Sequence, residues 1–518
     1  MIDASLVIAL LAAISLLAGV ATRTGIPYPV VLVLGGLAMG LAPGIPSPEM
    51  NPDLVLVLFL PPLLYSSAFR SSVGELRANA GPILLLAIGL VLATVGGVAV
   101  VGVLVAGLPW AVAFTLGAVL GPTDPVSASA ILQRLGAPAR IVTILEGESL
   151  VNDGTAITAF TIAVAAVGTG SFSPLDAVGK LVFEVVAGSA IGLLAAWLAS
   201  RVRPRLDPNA ELALTLLTPF IAYIPADELG ASGVLAAVAA GLYAATQETQ
   251  SASPDSRLRI RSFWDVLVFL LNALLFILVG EQLPHIVNGI GGGFTATLVG
   301  QALAVVAAIF ALRLFWMFAV SPVTRALRRG RTGTPAQPAA RFVLGWSAMR
   351  GGVTLALALA IPLQVNRHAF PHRSLVIFLA YAAVLITLAV PGLTLGPLIH
   401  RLGLQQGAAR QRQLAEAQAT ILHAALEEIE SLASDDRISE YAARRLGASY
   451  QDRLERLDAS RDGDGGRTAA SGDLRAAQRA VIGAQRQRLS ELRREHRYPA
   501  EMLRELERDL DLEEARLH

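Results

Sequence analysis

Cysteine is absent from the 518 residues, so disulfides, thiolate chemistry and cysteine–metal sites are excluded. Lysine is nearly absent: Lys180 stands alone, and arginine carries the rest of the positive charge. Charged residues make up only 16% of the chain, against about 25% in a soluble domain, and 54% are hydrophobic. A chain this poor in charge is not an ordinary soluble protein. It holds no basic cluster of the kind that grips nucleic acid. No phosphate-binding loop or nucleophile–His–acid set is found, which argues against an enzyme and against any cofactor. The start, Met1-Ile2-Asp3, lacks a basic n-region, and the first apolar run lacks a small-residue cleavage site; that run is expected to remain as a membrane helix.

The scarcity of charge is uneven. Residues 1–402 hold 22 Lys/Arg and 18 Asp/Glu, whereas 403–518 hold 19 and 22 in less than a third of the length. The expected organisation is a transmembrane domain, 1–402, followed by a cytoplasmic helical tail, 403–518. A membrane helix needs about 20 mainly apolar residues. Thirteen runs qualify, at roughly 4–22, 28–43, 53–69, 81–106, 109–133, 142–167, 177–200, 211–225, 230–246, 264–282, 296–320, 342–362 and 374–400. With the N-terminus outside, seventeen arginines fall in inner loops, among them Arg70, Arg203, Arg257, Arg328 and Arg401. The outer loops hold only Arg367 and Arg373, with Lys180 near the outer end of run seven. That bias follows the positive-inside rule and would be scrambled by losing one span. In the tail, helices are expected over 408–434, 436–458 and 471–517, with a flexible linker at 458–472. They read as a solvated bundle or pairing element, or as a regulatory module of unassigned ligand.

Ionisable groups at mid-bilayer are expensive and therefore functional candidates. Run five centres on Gly121-Pro122-Thr123-Asp124-Pro125, run six on Asn152-Asp153 and run twelve on Met349-Arg350-Gly351-Gly352. Two carboxylates and a guanidinium thus share one depth on three helices. Pro122 and Pro125 break run five and free backbone carbonyls, and the paired glycines can unwind run twelve. The breaks lie seven spans apart, an odd number, so spans 1–6 and 8–13 are expected to form inverted repeats whose broken helices cross. Spacing by four on run six sets Ser149 beside Asp153 and Glu148 beside Asn152. Asp153, Ser149, Asp124 and a carbonyl near Thr123 can supply oxygen to a hard monovalent cation. Arg350 needs an anion, and Glu148 is the expected partner, which spares Asp153 for titration. Glu146 lies about two turns inward and is a candidate for a cytoplasmic funnel. Glu281 and Arg313 read as interface or mouth residues.

Four segments resemble the marks of the monovalent cation:proton antiporter-1 family, the bacterial and animal Na⁺/H⁺ exchangers. They are Gly147-Glu148-Ser149-Leu150-Val151-Asn152-Asp153-Gly154, Gly121-Pro122-Thr123-Asp124-Pro125-Val126, Phe59-Leu60-Pro61-Pro62-Leu63-Leu64-Tyr65 and Arg350-Gly351-Gly352, in the family's order. The resemblance covers about residues 1–400. It implies an all-α polytopic membrane fold, a homodimer built through a separate dimerisation subdomain, and elevator-like alternating access. It also implies cation ligands at Thr123, Asp124, Ser149 and Asp153 and a structural ion pair of Glu148 with Arg350. Asn152, where electrogenic relatives carry a second Asp, implies electroneutral one-for-one exchange. Ser66 and Ser67 stand where many relatives carry an acid.

The expected function is exchange of Na⁺, or Li⁺, for H⁺ across the plasma membrane, the two ions competing at Asp153. A K⁺/H⁺ exchanger would use the same residues. A channel or sensor would need a continuous pore, against which broken crossed helices argue.

Overall fold

A computed structural model of the chain describes residues 4–24, 28–42, 52–170, 174–251, 254–290, 295–320, 337–404, 407–435 and 437–462, and a few positions between 483 and 491. These residues separate into two compact units, 1–405 and 406–518.

Among its described residues, the first unit consists of helices joined by short non-helical segments and one hairpin. Its helices are α1 (Ala4–Thr24), α2 (Tyr28–Leu41), α3 (Pro52–Arg70), the short α4 (Val73–Ala78) and α5 (Ala80–Ala106), which carries a π-helical stretch at Leu85–Leu90. Next come α6 (Trp110–Val119), α7 (Pro125–Arg134), α8 (Ala139–Thr169), α9 (Pro174–Val202), α10 (Pro208–Glu228) and α11 (Gly233–Ser251). The last are α12 (Pro254–Asn288), α13 (Ala296–Phe315), α14 (Pro338–Trp346), α15 (Gly352–Leu359) and α16 (Arg373–Arg401). A helix, or a broken pair of helices, coincides with every one of the thirteen apolar runs. Among the described residues, six segments are long and apolar enough by themselves to cross a membrane: Ala80–Ala106, Arg140–Thr169, Val182–Arg205, Ser256–Asn288, Ala296–Val320 and Arg373–Arg401.

The helices extend past the apolar runs where arginine borders them. The apolar run spans 264–282, yet α12 begins at Pro254 and includes Arg257, Arg259 and Arg261 ahead of it. Arginine is a good helix former whose charge can reach back to water along its own stem, so polarity ends the apolar run without ending the helix. The arginine-rich loop holding Arg325, Arg328, Arg329 and Arg331 lies outside the described residues.

Packing in this unit relies on close backbone approach. A Cβ on Gly36 or Gly40 of α2 would strike the carbonyls of Ile277 and Glu281 on α12. That is the small-residue packing by which helices associate in lipid, where no hydrophobic drive separates a helix from its surroundings. Between α15 and α16 the chain forms a two-residue hairpin, with Gln364–Val365 paired antiparallel to His368–Ala369. Asn366 and Arg367 at its tip both have positive φ, and the Asn366 amide donates to the Gly168 carbonyl at 2.7 Å. Nothing in the apolar pattern marks this clip.

The second unit contains α17 (Gly407–Ser434) and α18 (Glu440–Asp462), which pack on each other. Helix α18 continues to Asp462, so the first residues of the expected 458–472 linker are helical. The expected helix over 471–517 lies almost wholly outside the described residues.

Candidate ion-binding site

Two helix breaks build the site. The chain leaves α6 at Leu120 and re-enters helix at Pro125, where a proline's missing N–H is no loss because a first-turn N–H has no partner in any case. It leaves α14 at Ser347 and re-enters at Gly352. The two breaks cross and satisfy each other. The Asp124 amide donates to the Met349 carbonyl at 2.8 Å, and the Thr354 hydroxyl lies 3.5 Å from the Pro122 carbonyl. Buried backbone groups at membrane depth must be paired inside the protein, and each break supplies the other's partners.

Gly351 is required by this crossing. A Cβ there would lie 2.6–2.7 Å from Cβ, Cγ and Oδ2 of Asp124. Expected only as an aid to unwinding, this glycine admits the aspartate itself.

The crossing arranges helix dipoles as well. Asp124 directly precedes the first turn of α7 and touches Gly351, the N-cap of α15. Two helix N-termini, each a site of partial positive charge, therefore meet one carboxylate. Arg350 takes the opposite pole. Its Nε donates to the Leu120 carbonyl just past α6 at 3.1 Å, and its Nη1 to the Ala348 carbonyl just past α14 at 2.9 Å. The Arg350 amide donates to the Thr387 hydroxyl on α16 at 3.2 Å.

This geometry corrects the expected ion pair. Glu148 is held by Arg313 on α13, not by Arg350: Arg313 Nη2 donates to Glu148 Oε2 at 2.8 Å, and Nη1 bonds Oε1. Arg313 Nε also donates to the Leu344 carbonyl at 3.0 Å. The guanidinium fork matches a carboxylate bidentately, so it outcompetes a second arginine already spent on carbonyls. Arg313, read from the sequence as an interface or mouth residue, is 2% exposed and belongs to the core of the site. Its sequence signal was present: an arginine inside a 25-residue apolar segment demands an acid partner.

Helix α8 brings the remaining residues to the break. The Ser149 hydroxyl donates to the Thr123 carbonyl at 2.7 Å, and the Asn152 amide donates to the Thr123 hydroxyl at 2.7 Å. Asp153 is 4% exposed, and its Oδ1 has no hydrogen-bond partner among the described residues. A cavity of about 50 Å³ opens between the crossing, α8, α3 and α12. Thr123, Asp124, Ser149 and Asp153 all line it. Asn152 sits behind Thr123 and fixes its hydroxyl. Sequence reasoning overlooked Asn272 of α12 and Arg70 of α3, which also line the cavity, as does Ser67. The Ser67 hydroxyl stands on the helix that the resemblance singled out for an acid.

Glu146 does not line the cavity; the Gln133 amide approaches its Oε1 at 3.4 Å, at the side where Glu75 accepts from the Thr143 hydroxyl. Glu281 is fully buried on α12, and neither carboxylate oxygen has a partner among the described residues.

The donor set is all oxygen: two carboxylates, a serine hydroxyl and the oxygens of Thr123. Such a set suits a hard cation, and the unpartnered Oδ1 of Asp153 leaves a lone pair for one. Among the described residues, no cluster of three or more His, Asp or Glu could hold a resident metal. A cavity this size accepts a cation or a few waters and little else.

Comparison with known proteins agrees with this architecture. Residues 6–401 match the family model described as "Sodium/hydrogen exchanger, transmembrane". A Mycobacterium tuberculosis protein described as an uncharacterized Na(+)/H(+) exchanger is 34% identical over 529 aligned positions, covering 99% of this chain and 95% of its own. The low-affinity Na(+)/H(+) antiporter NhaS1 of Synechocystis is 33% identical, over 71% of this chain and 68% of its own. The sodium, potassium, lithium and rubidium/H(+) antiporter of Bacillus subtilis is 35% identical over 70% of this chain, a match that spans 56% of that protein. Among solved structures, the sodium proton antiporter MjNhaP1 of Methanocaldococcus jannaschii at pH 8 shares the fold, with a TM-score of 0.59 at 21% identity. That match covers 76% of this chain and 97% of that one.

Proposed function

The chain belongs to the sodium/hydrogen exchanger family of multi-pass membrane antiporters, and from that premise we propose that it exchanges one Na⁺ for one H⁺ at the carboxylates of Asp153 and Asp124. The observation that carries this reading is the unpartnered, buried Asp153 Oδ1 beside a cavity where Thr123, Asp124 and Ser149 also offer oxygen, at a crossing of broken helices. A carboxylate oxygen can hold a proton or join a cation's coordination shell, and each occupant excludes the other. Thr123, Ser149 and Asp124 complete the shell, while Asn152 holds Thr123 in place. Asn152 is neutral, so Asp153 is the one carboxylate of the Asn152-Asp153 pair on α8, which supports electroneutral one-for-one exchange. If the core turns between its two faces only when loaded with a cation or a proton, the two fluxes are coupled.

This proposal sets thirteen crossings with the N-terminus outside and the tail cytoplasmic, in the plasma membrane, because arginine then gathers on the inner face. The six-helix halves on either side of α9 are inverted relative to each other, with Glu146 lining the cytoplasmic approach. A homodimer follows the family resemblance, its scaffold subdomain distinct from the core that holds the crossing. Residues 403–518 act as a separate cytoplasmic unit. The range of cations in the name of the Bacillus subtilis relative supports a second reading, in which K⁺ or Li⁺ is also carried.

The test is Na⁺-driven proton flux in proteoliposomes. Asp153→Asn is expected to abolish it while leaving the purified protein monodisperse; undiminished exchange would refute the assignment. Running wild type with Na⁺, Li⁺ and K⁺ in turn decides the cation.

A further inference from the structure

A positive charge faces the ion cavity. Arg70, the last residue of α3, lines the same cavity as Asp124 and Asp153, and among the described residues it is the one basic side chain to do so. A fixed cation in that place opposes every cation that enters.

The two helices around it are locked together. Tyr65 stacks on Phe69 with ring centroids 6.0 Å apart, and Tyr65 also packs on Trp264 of α12 at 5.2 Å. Trp264 is 1% exposed, so this aromatic seam fixes α3 against α12. The next residue on each helix carries a charge, and the two meet: Arg70 Nη1 donates to Asp265 Oδ1 at 2.8 Å. Asp265 does not line the cavity. The pair therefore presents its positive member to the entering ion and keeps its negative member outside. The side chains are 40% and 65% exposed, and a pair this open adds little to stability. Its effect is on the field at the cavity.

The oxygen set gives that field a use. Two carboxylates with hydroxyl and carbonyl oxygens suit Ca²⁺ or Mg²⁺ as well as Na⁺, and two negative charges favour the divalent ion. Repulsion by Arg70 acts the other way, and it is twice as large on a double charge. We propose that Arg70, held by Asp265, is a specificity-determining residue that restricts the site to monovalent cations. This rests on the reading that the cation binds at Asp153 and Asp124. Arginine suits the task because its guanidinium keeps its charge across the whole working pH range, while the site itself takes up and releases protons.

The test is inhibition by Ca²⁺ of Na⁺-driven proton flux in proteoliposomes of the full chain. The KM for Na⁺ and the inhibition constant for Ca²⁺ are measured for wild type, Arg70→Gln, Asp265→Asn and the double variant, with Asp153→Asn as the control for the site itself. Arg70→Gln is expected to lower the KM about threefold, the size of effect that a solvent-screened charge exerts. The Ca²⁺ constant should then fall about tenfold, because doubling the charge doubles the free energy and squares the factor. Asp265→Asn should raise both constants in the same proportion, and the double variant should lie between the two singles. Added choline chloride should shrink all these shifts, since salt screens an exposed charge and would not repair a misplaced helix. Equal factors for Na⁺ and Ca²⁺, or an unchanged Ca²⁺ constant in Arg70→Gln, overturn the proposal and leave the site standing. Undiminished exchange by Asp153→Asn removes the site and the proposal with it. If Arg70→Gln does not fold, the sign and ratio of the Asp265→Asn shifts decide the outcome.

Discussion

The pairing of Glu148 can be tested by a double-mutant cycle. Arg313 and Glu148 are nearly sealed, their side chains 3% and 1% exposed, and they meet through two parallel bonds. Arg313→Met strands a carboxylate in the membrane core and should destabilise the protein by about 3–5 kcal/mol. Glu148→Gln leaves Arg313 with a neutral partner and is also expected to be destabilising. The double variant removes both charges and should be less damaging than the two losses added, giving a coupling of about 2–3 kcal/mol. Arg350→Met behaves differently. It deprives the Leu120 and Ala348 carbonyls of their donor, at about 1–3 kcal/mol for each group left unpaired. Its coupling to Glu148 should stay below about 1 kcal/mol, since Glu148 keeps its Arg313 fork. The measurement is unfolding in mixed micelles, followed by tryptophan fluorescence, for wild type, the three single variants and both doubles. A coupling of Glu148 to Arg350 larger than that to Arg313 would refute the arrangement described here.

Other outcomes follow from the same geometry. Gly351→Ala places a methyl against the Asp124 carboxylate; it should cost about 1–3 kcal/mol in stability and abolish exchange, read by proteoliposome flux. Gly352→Ala, aimed at Asn272 Oδ1 instead, should be milder if that side chain can swing aside. Ser149→Ala removes one hydroxyl of the proposed cation shell and its 2.7 Å bond to the Thr123 carbonyl, and should raise the KM for Na⁺ about tenfold with little change in fold. Asp207, outside the spans, caps α10 by accepting from the amides of Ala210 and Asn209, and these bonds hold its carboxyl below the usual carboxylate range. Its contribution is therefore present above the unfolded-state value of about 4 and lost as pH falls through the lower folded value. Asp207→Ala should be less stable than wild type at neutral pH, and the gap should close in acid.

Much of the membrane unit could be read from sequence because lipid permits so little. Every backbone group inside the bilayer must be paired, so an apolar run of about 20 residues has one available form. Proline marks the first break for the same local reason: Pro122 and Pro125 flank a stretch that cannot keep its helical bonds. Depth along a helix is set by counting, and counting brought Asp124, Asp153 and Arg350 to one level. Tertiary structure alone could decide which charges meet across helices. Arg313 and Arg350 are both in reach of Glu148 by composition, and the choice rests on where each fork points. Only the crossing shows that Arg350 is consumed by the carbonyl ends of α6 and α14 and that Gly351 exists to admit Asp124. The ion cavity was likewise invisible, since a void is a property of how α3, α8, α12 and the two breaks fail to fill the space between them, and no single segment encodes it.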